Sequence, residues 1–160
     1  MGRGMNIVFR SSWERLLGKT DSPIEGALLD AFCVLSGEYG YEVQPRSGAR
    51  EGVIVIKPQA QFGERYRADF LISYHFFGAD FTAVVECDGH DWHERTKQQA
   101  AHDRRRDRVC QRLGYRVFRF TGSEIRADPA TCAFDLIDAI MQFQTSAFTA
   151  AIEQADREAA

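Results

Sequence analysis

The sequence predicts an α/β fold in which a mixed central β-sheet is flanked by α-helices. Three observations carry this. The periodicity runs helix, several strands, helix, strand, helix, the order that places helices against a sheet. Two alternating apolar stretches are joined at Gly78, as in an antiparallel hairpin. A helical stretch then separates the strand ending at Asp88 from the one beginning at Tyr115, which with the hairpin suggests a mixed sheet.

In chain order, residues 1 to 20 are polar, with a short helical candidate around Ser12 to Leu17. Ser22-Pro23-Ile24-Glu25 is a helix start, with Ser at the N-cap, Pro in the first turn and Glu three residues on. This helix is expected to run to about Ser36 and stop near Gly37, with Ile24, Leu28, Ala31 and Leu35 as its core stripe. Tyr41 to Gln44 is a short strand; Gly52 to Lys57 is a stronger one, closed by Pro58. Arg65 to Tyr74 alternates, with Tyr66, Ala68, Phe70 and Ile72 on one face and Arg67, Asp69 and Leu71 on the other. Phe81 to Asp88 is the next strand, Thr96 to Leu113 a helix ended by Gly114, and Tyr115 to Phe120 a strand. Thr121 to Ile125 is a turn or short helix. Asp128-Pro129 starts a last helix through about Phe143, extending past Phe148 if its pattern holds. With 160 residues the chain fits one domain, with a core at about 22–126 and a C-terminal helical segment at about 128–158.

Bulk properties narrow the class. Hydrophobic content of 44% and charged content of 27% are those of an ordinary globular protein, and no apolar run reaches membrane-spanning length. The four cysteines are widely spaced among apolar neighbours without a Cys-x-x-Cys pair. They read as reduced core residues of a cytoplasmic protein. Net charge is −3, yet residues 95 to 119 hold nine Lys or Arg against two acids. A basic block inside an acidic chain points to nucleic acid more strongly than the total does.

The chemistry concentrates after Ala83-Val-Val. Glu86, Asp88, His90, Asp91, His93 and Glu94 follow within nine residues. On a strand, Val84, Glu86 and Asp88 share a face, and paired acids there repel unless a cation or proton lies between them. Asp69 sits inside an apolar strand, where acids are depleted. If the Gly78 hairpin joins the two strands, Asp69, Glu86 and Asp88 converge into an oxygen cluster suited to Mg²⁺ or Mn²⁺. Such a cation could activate water and stabilise charge on a phosphoryl group. The alternative for Asp69 is a pair with Arg65 or Arg67. Glu25 is equally a capping residue and an inward acid, in line with Leu29 and Phe32. On the helix after the acidic loop, the apolar face Val109, Cys110 and Leu113 continues back to Arg106, Asp103, His102 and Gln99. Polar groups on a core-facing stripe serve a site or a buried pair. Lys97, Arg104, Arg105, Arg108 and Arg112 lie further out, placed either for phosphates or as a solvated basic face.

Arg67-Ala-Asp69-Phe, Val85-Glu86-Cys-Asp88-Gly89, Trp92-His93, Asp103-Arg-Arg-Arg106-Asp107 and Leu113-Gly-Tyr-Arg-Val-Phe-Arg-Phe120 stand in this order. Together they resemble the endonuclease domains related to very short patch repair (Vsr) endonucleases, within the PD-(D/E)XK nuclease superfamily. The likeness spans roughly residues 22 to 126 and is most specific from 67 to 120. It implies a restriction-endonuclease-like core and metal-dependent hydrolysis of phosphodiester bonds in DNA. Asp69 matches the metal-bridging Asp and Glu86 the second acid. Glu25 matches the first-helix acid, and Asp103, Arg106 and Asp107 match the helix bordering the site. Asp88 stands where the superfamily usually has the Lys that positions water. The resemblance makes His93 the first substitute and Lys97 the second.

Three other readings accompany it: a decayed nuclease fold that only binds DNA, a zinc protein built on Asp88, His90, His93 and His102, and RNA as substrate. No aromatic base-stacking signature favours RNA. The last helix, with Phe134, Leu136, Ile137, Ile140, Met141 and Phe143, suits either core closure in a monomer or a homodimer face.

Overall fold

The computed structural model describes residues 16, 18–45, 50–89 and 97–160, leaving out the side chain of Lys97. Helix α1 (Pro23–Glu38) leads into strand β1 (Glu42–Gln44). Strands β2 (Val53–Phe62), β3 (Tyr66–Phe76) and β4 (Ala79–Asp88) follow, then helix α2 (Lys97–Arg112), strand β5 (Arg116–Thr121), helix α3 (Gly122–Ala127) and helix α4 (Pro129–Ala159). The sheet runs in the order β1-β2-β3-β4-β5. Its outer pairs, β1 with β2 and β4 with β5, are parallel, and its inner pairs are antiparallel. This is the mixed α/β fold expected from the sequence.

Helices cover both faces. Leu28, Leu29 and Phe32 of α1, Ile125 of α3 and Leu136, Ile137 and Ile140 of α4 bury against Ile54, Ile56, Phe70, Ile72, Ala83, Val85 and Phe120. Across the sheet, Cys110 of α2 buries against Phe62, Ala68 and Val84. The apolar residues of α4 thus close the core. Phe134 is partly exposed, with its ring 5.8 Å from that of Tyr39. None of the described helices is long and apolar enough to cross a membrane.

The turns explain themselves locally. Phe77 and Gly78 have φ of 49° and 74° between the paired residues Phe76 and Ala79. Two left-handed residues in a two-residue loop match the twist of an antiparallel hairpin. Ser22 caps α1, its hydroxyl accepting from the Glu25 N–H. Thr121 and Glu124 form a full capping box on α3.

Several expectations need correction. The buried face of α1 is centred on Leu28, Leu29, Phe32, Cys33 and Ser36, with Ile24, Ala31 and Leu35 only partly buried at its edge. Leu113 is 45% exposed, because α2 has ended at Arg112 and Gly114 turns the chain. The second strand does not stop at Pro58 but continues to Phe62. The alternation expected for β3 breaks at Asp69. Tyr66 and Ala68 pack on the α2 side, whereas Phe70 and Ile72 belong to the core under α1 and α4. Strand β2 changes face in step, with Ile56 in one cluster and Phe62 in the other. The shared change occurs where Gln59 has φ of 52° and the 59–69 pair is missing from an otherwise continuous register. Pro58 has no N–H to donate, and the left-handed residue after it is the kink through which both strands turn over. The candidate helix at 12–17 lies almost wholly outside the described residues.

Candidate active site

The site forms where the sheet opens. The ladder between β3 and β4 ends at the Phe70–Val85 pair, one position short of Asp69 and Glu86. Beyond it β4 stays paired only with β5, out to Asp88 and Thr121. The backbone N–H of Cys87, freed from the β3 ladder, donates to Asp69 Oδ2 at 2.6 Å. A side chain has taken the place of a ladder bond, and this fixes the Asp69 carboxylate in the fork.

Glu86 projects from the same fork toward α2 and is 8% exposed. Arg106 Nη2 lies 2.8 Å from its Oε1. The approach is a charge contact without hydrogen-bond alignment, since Glu86 Oε1 and Arg106 Nε are both buried with no hydrogen-bond partner. Burial pushes the Glu86 carboxyl up to about 7, with Asp69 and Asp88 adding to the rise and Arg106 opposing it. Burial raises Asp69 too, the Cys87 N–H and Arg106 oppose it, and Glu25 and Asp88 add to it. Asp69 therefore feels the charge of Glu25 and Asp88, and Glu86 that of Asp69 and Asp88, with Arg106 lying against Glu86.

Glu25 enters from α1 and is 5% exposed. Both readings of it hold. It serves the cap, accepting from the Ser22 hydroxyl at 2.9 Å and the Asp21 N–H at 2.9 Å. It also faces the site, accepting from Gln59 Nε2 at 2.8 Å. The alternative partners for Asp69 are not used: Arg67 bonds Asp21 instead, at 3.2 Å.

Helix α2 divides as its periodicity suggests. Arg106 is turned inward with 13% of its side chain exposed, and Asp103 is partly covered at 28%. Asp107 pairs with Arg119 of β5, which anchors the helix to the neighbouring strand. Neither an Asp103–Arg106 nor a His102–Arg106 pair forms the main contact of Arg106; Glu86 does. His102 is mostly exposed, with its ring 5.4 Å from that of Tyr66. Arg105, Arg108 and Arg112 line one open groove with Tyr66 and Val109, continued by Arg65 past Gly63. Arg104 is exposed outside that groove. His90 and His93 lie outside the described residues, as does the side chain of Lys97.

The donor set fits a hard divalent cation. Asp69, Glu86 and Asp88 offer only oxygen, the donor that hard divalent cations take. Among the described residues, no three His, Cys, Asp or Glu side chains already close into a cation cage. Glu86 is drawn toward Arg106 instead. Three buried polar atoms lack hydrogen-bond partners among the described residues, and all belong to this corner: Glu86 Oε1, Arg106 Nε and Gln59 Oε1. Gln59 has no place in the sequence argument. Its one signal was a polar residue directly after a proline in a β-rich stretch, and that reads as a strand end.

No curated protein and no solved structure matches this chain. A family model does: that of REase_MTES_1575, a restriction-endonuclease-like family, over residues 49–140. The match takes in β2 to β5 and α2 and covers more than half of the chain. With its mixed sheet and its acids at the β3–β4 fork, the chain belongs to the restriction-endonuclease-like family REase_MTES_1575.

Proposed function

We propose that the protein is a Mg²⁺- or Mn²⁺-dependent DNA endonuclease of the Vsr-like kind, hydrolysing phosphodiester bonds. The observation that carries this reading is the meeting of Asp69 and Glu86 at the fork where β3 and β4 part, with a buried Arg106 beside them. Asp69, Glu86 and Asp88 would hold the cation. When bound, the cation would supply charge neutralisation at the phosphoryl group and a more acidic water.

The chain's own groups do the rest. Asp69 is pinned by the Cys87 N–H, so its free oxygen meets the reacting region without reorganisation. Arg106 is held within the same pocket and carries the positive charge that a scissile phosphate needs. His93, in the Trp92-His93 pair, is assigned the water-positioning role of the missing superfamily Lys, and Lys97 is the second choice. Asp103 borders the site on α2. The groove of Arg105, Arg108 and Arg112 is suited to phosphates flanking the cut, with Arg104 and Lys97 extending the basic surface.

The decisive experiment is a cleavage assay on duplex, mismatched and single-stranded DNA with Mg²⁺ and Mn²⁺, comparing the natural chain with Asp69→Asn. Asparagine keeps an oxygen for the Cys87 N–H and removes the charge. Loss of roughly a thousandfold or more is expected, several kcal/mol of transition-state stabilisation. Intact DNA in every arm with the natural chain would overturn the reading.

A second reading has one specific observation behind it. Asp88 occupies the usual Lys position, and Arg106 already neutralises Glu86. A fold that only binds DNA through the α2 groove would behave this way. It predicts DNA affinity that is independent of divalent cations and unchanged in Asp69→Ala.

A further inference from the structure

We propose that Gln59 is a working member of the cation site, with its amide oxygen supplying the neutral donor that completes the set of Asp69, Glu86 and Asp88. The inference rests on the nuclease reading above and adds a residue that neither the sequence motifs nor the family assigns.

Three independent features meet at Gln59. First, its backbone has φ of 52°, the left-handed region. For a residue with a Cβ this conformation is strained. Glycine or asparagine would hold that conformation with less strain, so the long amide side chain has a reason to be there. Second, the amide is oriented. Nε2 donates to Glu25 Oε2 at 2.8 Å, and the reverse assignment would set two oxygens against each other. The amide oxygen is then the free end, and it is buried without a hydrogen-bond partner. Leaving such an acceptor unsatisfied is costly. Third, Gln59 stands across from Asp69. The pairs 58–70 and 60–68 flank the missing 59–69 pair, and residues opposed on antiparallel strands are close neighbours. Glu25, which touches Gln59, also acts on the charge of Asp69. Strain, an orphaned oxygen and proximity to the metal-type acids coincide at one side chain. Local strain of this sort gathers at functional sites, where surrounding structure holds it in place. An amide oxygen is a hard neutral ligand, suited to the same cations as the carboxylates.

The role makes opposite demands on stability and on binding, and this separates it from a structural one. In Gln59→Gly the left-handed strain and the orphaned oxygen both disappear. The variant is expected to melt at or above the natural chain while its affinity for Mn²⁺ falls roughly tenfold, the loss of one ligand worth about 1.4 kcal/mol. Mn²⁺ binding is read by calorimetry on the full chain without DNA. Gln59→Glu is the second variant. It places a carboxylate against Glu25, so the cation-free protein is expected to melt lower, and Mn²⁺ is expected to raise its melting temperature by more than it raises that of the natural chain.

Asp69→Asn is the reference. If the natural chain binds Mn²⁺, Asp69→Asn does not, and Gln59→Gly binds as tightly as the natural chain, the Gln59 inference is wrong and the nuclease reading stands. The same holds if Mn²⁺ shifts Gln59→Glu no more than the natural chain. If the natural chain itself binds no Mn²⁺, both fall together.

Discussion

Glu86 offers the sharpest test, because its buried position fixes the sign of a pH effect in the cation-free protein. Burial raises its carboxyl from an ordinary 4.5 to about 7. The folded state therefore holds a proton that the unfolded chain has already released, and stability falls as pH rises through that window. Full stability from this group is present below about pH 4.5 and is gone above about pH 7. At roughly 1.4 kcal/mol per tenfold change in proton affinity, the difference amounts to about 3 kcal/mol. The natural chain and Glu86→Gln should be unfolded with urea across this range, and the difference in their stabilities plotted against pH. Glutamine matches the size of Glu86 and does not titrate. Hydrogen bonds from Thr121 and Thr131 hold the capping carboxylates Glu124 and Asp128 below their ordinary values. Those groups lose stability at low pH in both proteins and cancel in the difference. The expected curve drops by about 3 kcal/mol from acid to neutral. Adding Mn²⁺ should act the other way, stabilising the natural chain more at about pH 8 than at about pH 5.5, because a cation binds the ionised form. A difference that is flat or rises between pH 4.5 and 7 refutes the reasoning. It would mean that Arg106 outweighs burial and that Glu86 is a settled ion-pair partner.

Two further outcomes follow from the helix and turn geometry. Arg108→Ala and Arg112→Ala should each weaken binding to all DNA sequences alike and lower the slope of log affinity against log salt by about 1, measured by titration at several salt concentrations. Gly63→Ala should cost about 1–2 kcal/mol in urea unfolding with an unchanged m value. Gly63 has φ of 58°, where a side chain is strained, and a Cβ there would stand 3.1 Å from Val109 Cγ1 of α2, a tight contact.

The pieces of the site that could be read from sequence were those set by local period. Glu86 and Asp88 stand two apart on a strand whose register with β5 runs unbroken to Asp88, which puts them on one face. Asp69 arrives beside them because Phe77-Gly78 closes a two-residue hairpin. Arg106 faces inward because it lies one turn before Cys110, which is buried on the sheet. What could not be read depends on two strands at once. The residues from Tyr66 to Tyr74 alternate well in sequence apart from Leu71, and nothing in them marks the change of face at Asp69. That change is imposed by Gln59 on the neighbouring strand, and Gln59 looked irrelevant because Pro58 looked like an end. The proline does remove a donor, but β3 still pairs on either side of the gap. Helix α4 runs to Ala159, about as far as the expected helical segment, for a simpler reason. Its last two turns are Ala, Glu, Gln and Arg rich, and these residues sustain a helix without a core to bury against.

The choice between a working nuclease and a decayed one turns on where the molecule carries its cost. A buried ion pair seldom improves on well-packed apolar side chains, so Glu86 against Arg106 is a poor investment for stability alone. The two strands beside it are kinked by a left-handed Gln59. The three buried polar atoms that lack partners among the described residues all lie in the same corner. A fold retained only to display the basic groove of α2 would lose nothing by repairing that corner. Leucine at position 86 together with methionine at 106 would remove the buried pair as a unit, glycine at 59 would remove the left-handed strain, and Arg105, Arg108 and Arg112 would be untouched. Instead the cost is concentrated at the β3–β4 fork, beside Asp69, whose carboxylate is held by a Cys87 N–H taken from the ladder. That concentration of strained and unpartnered groups beside Asp69 favours the proposed cation-dependent reaction over a fold that only binds DNA.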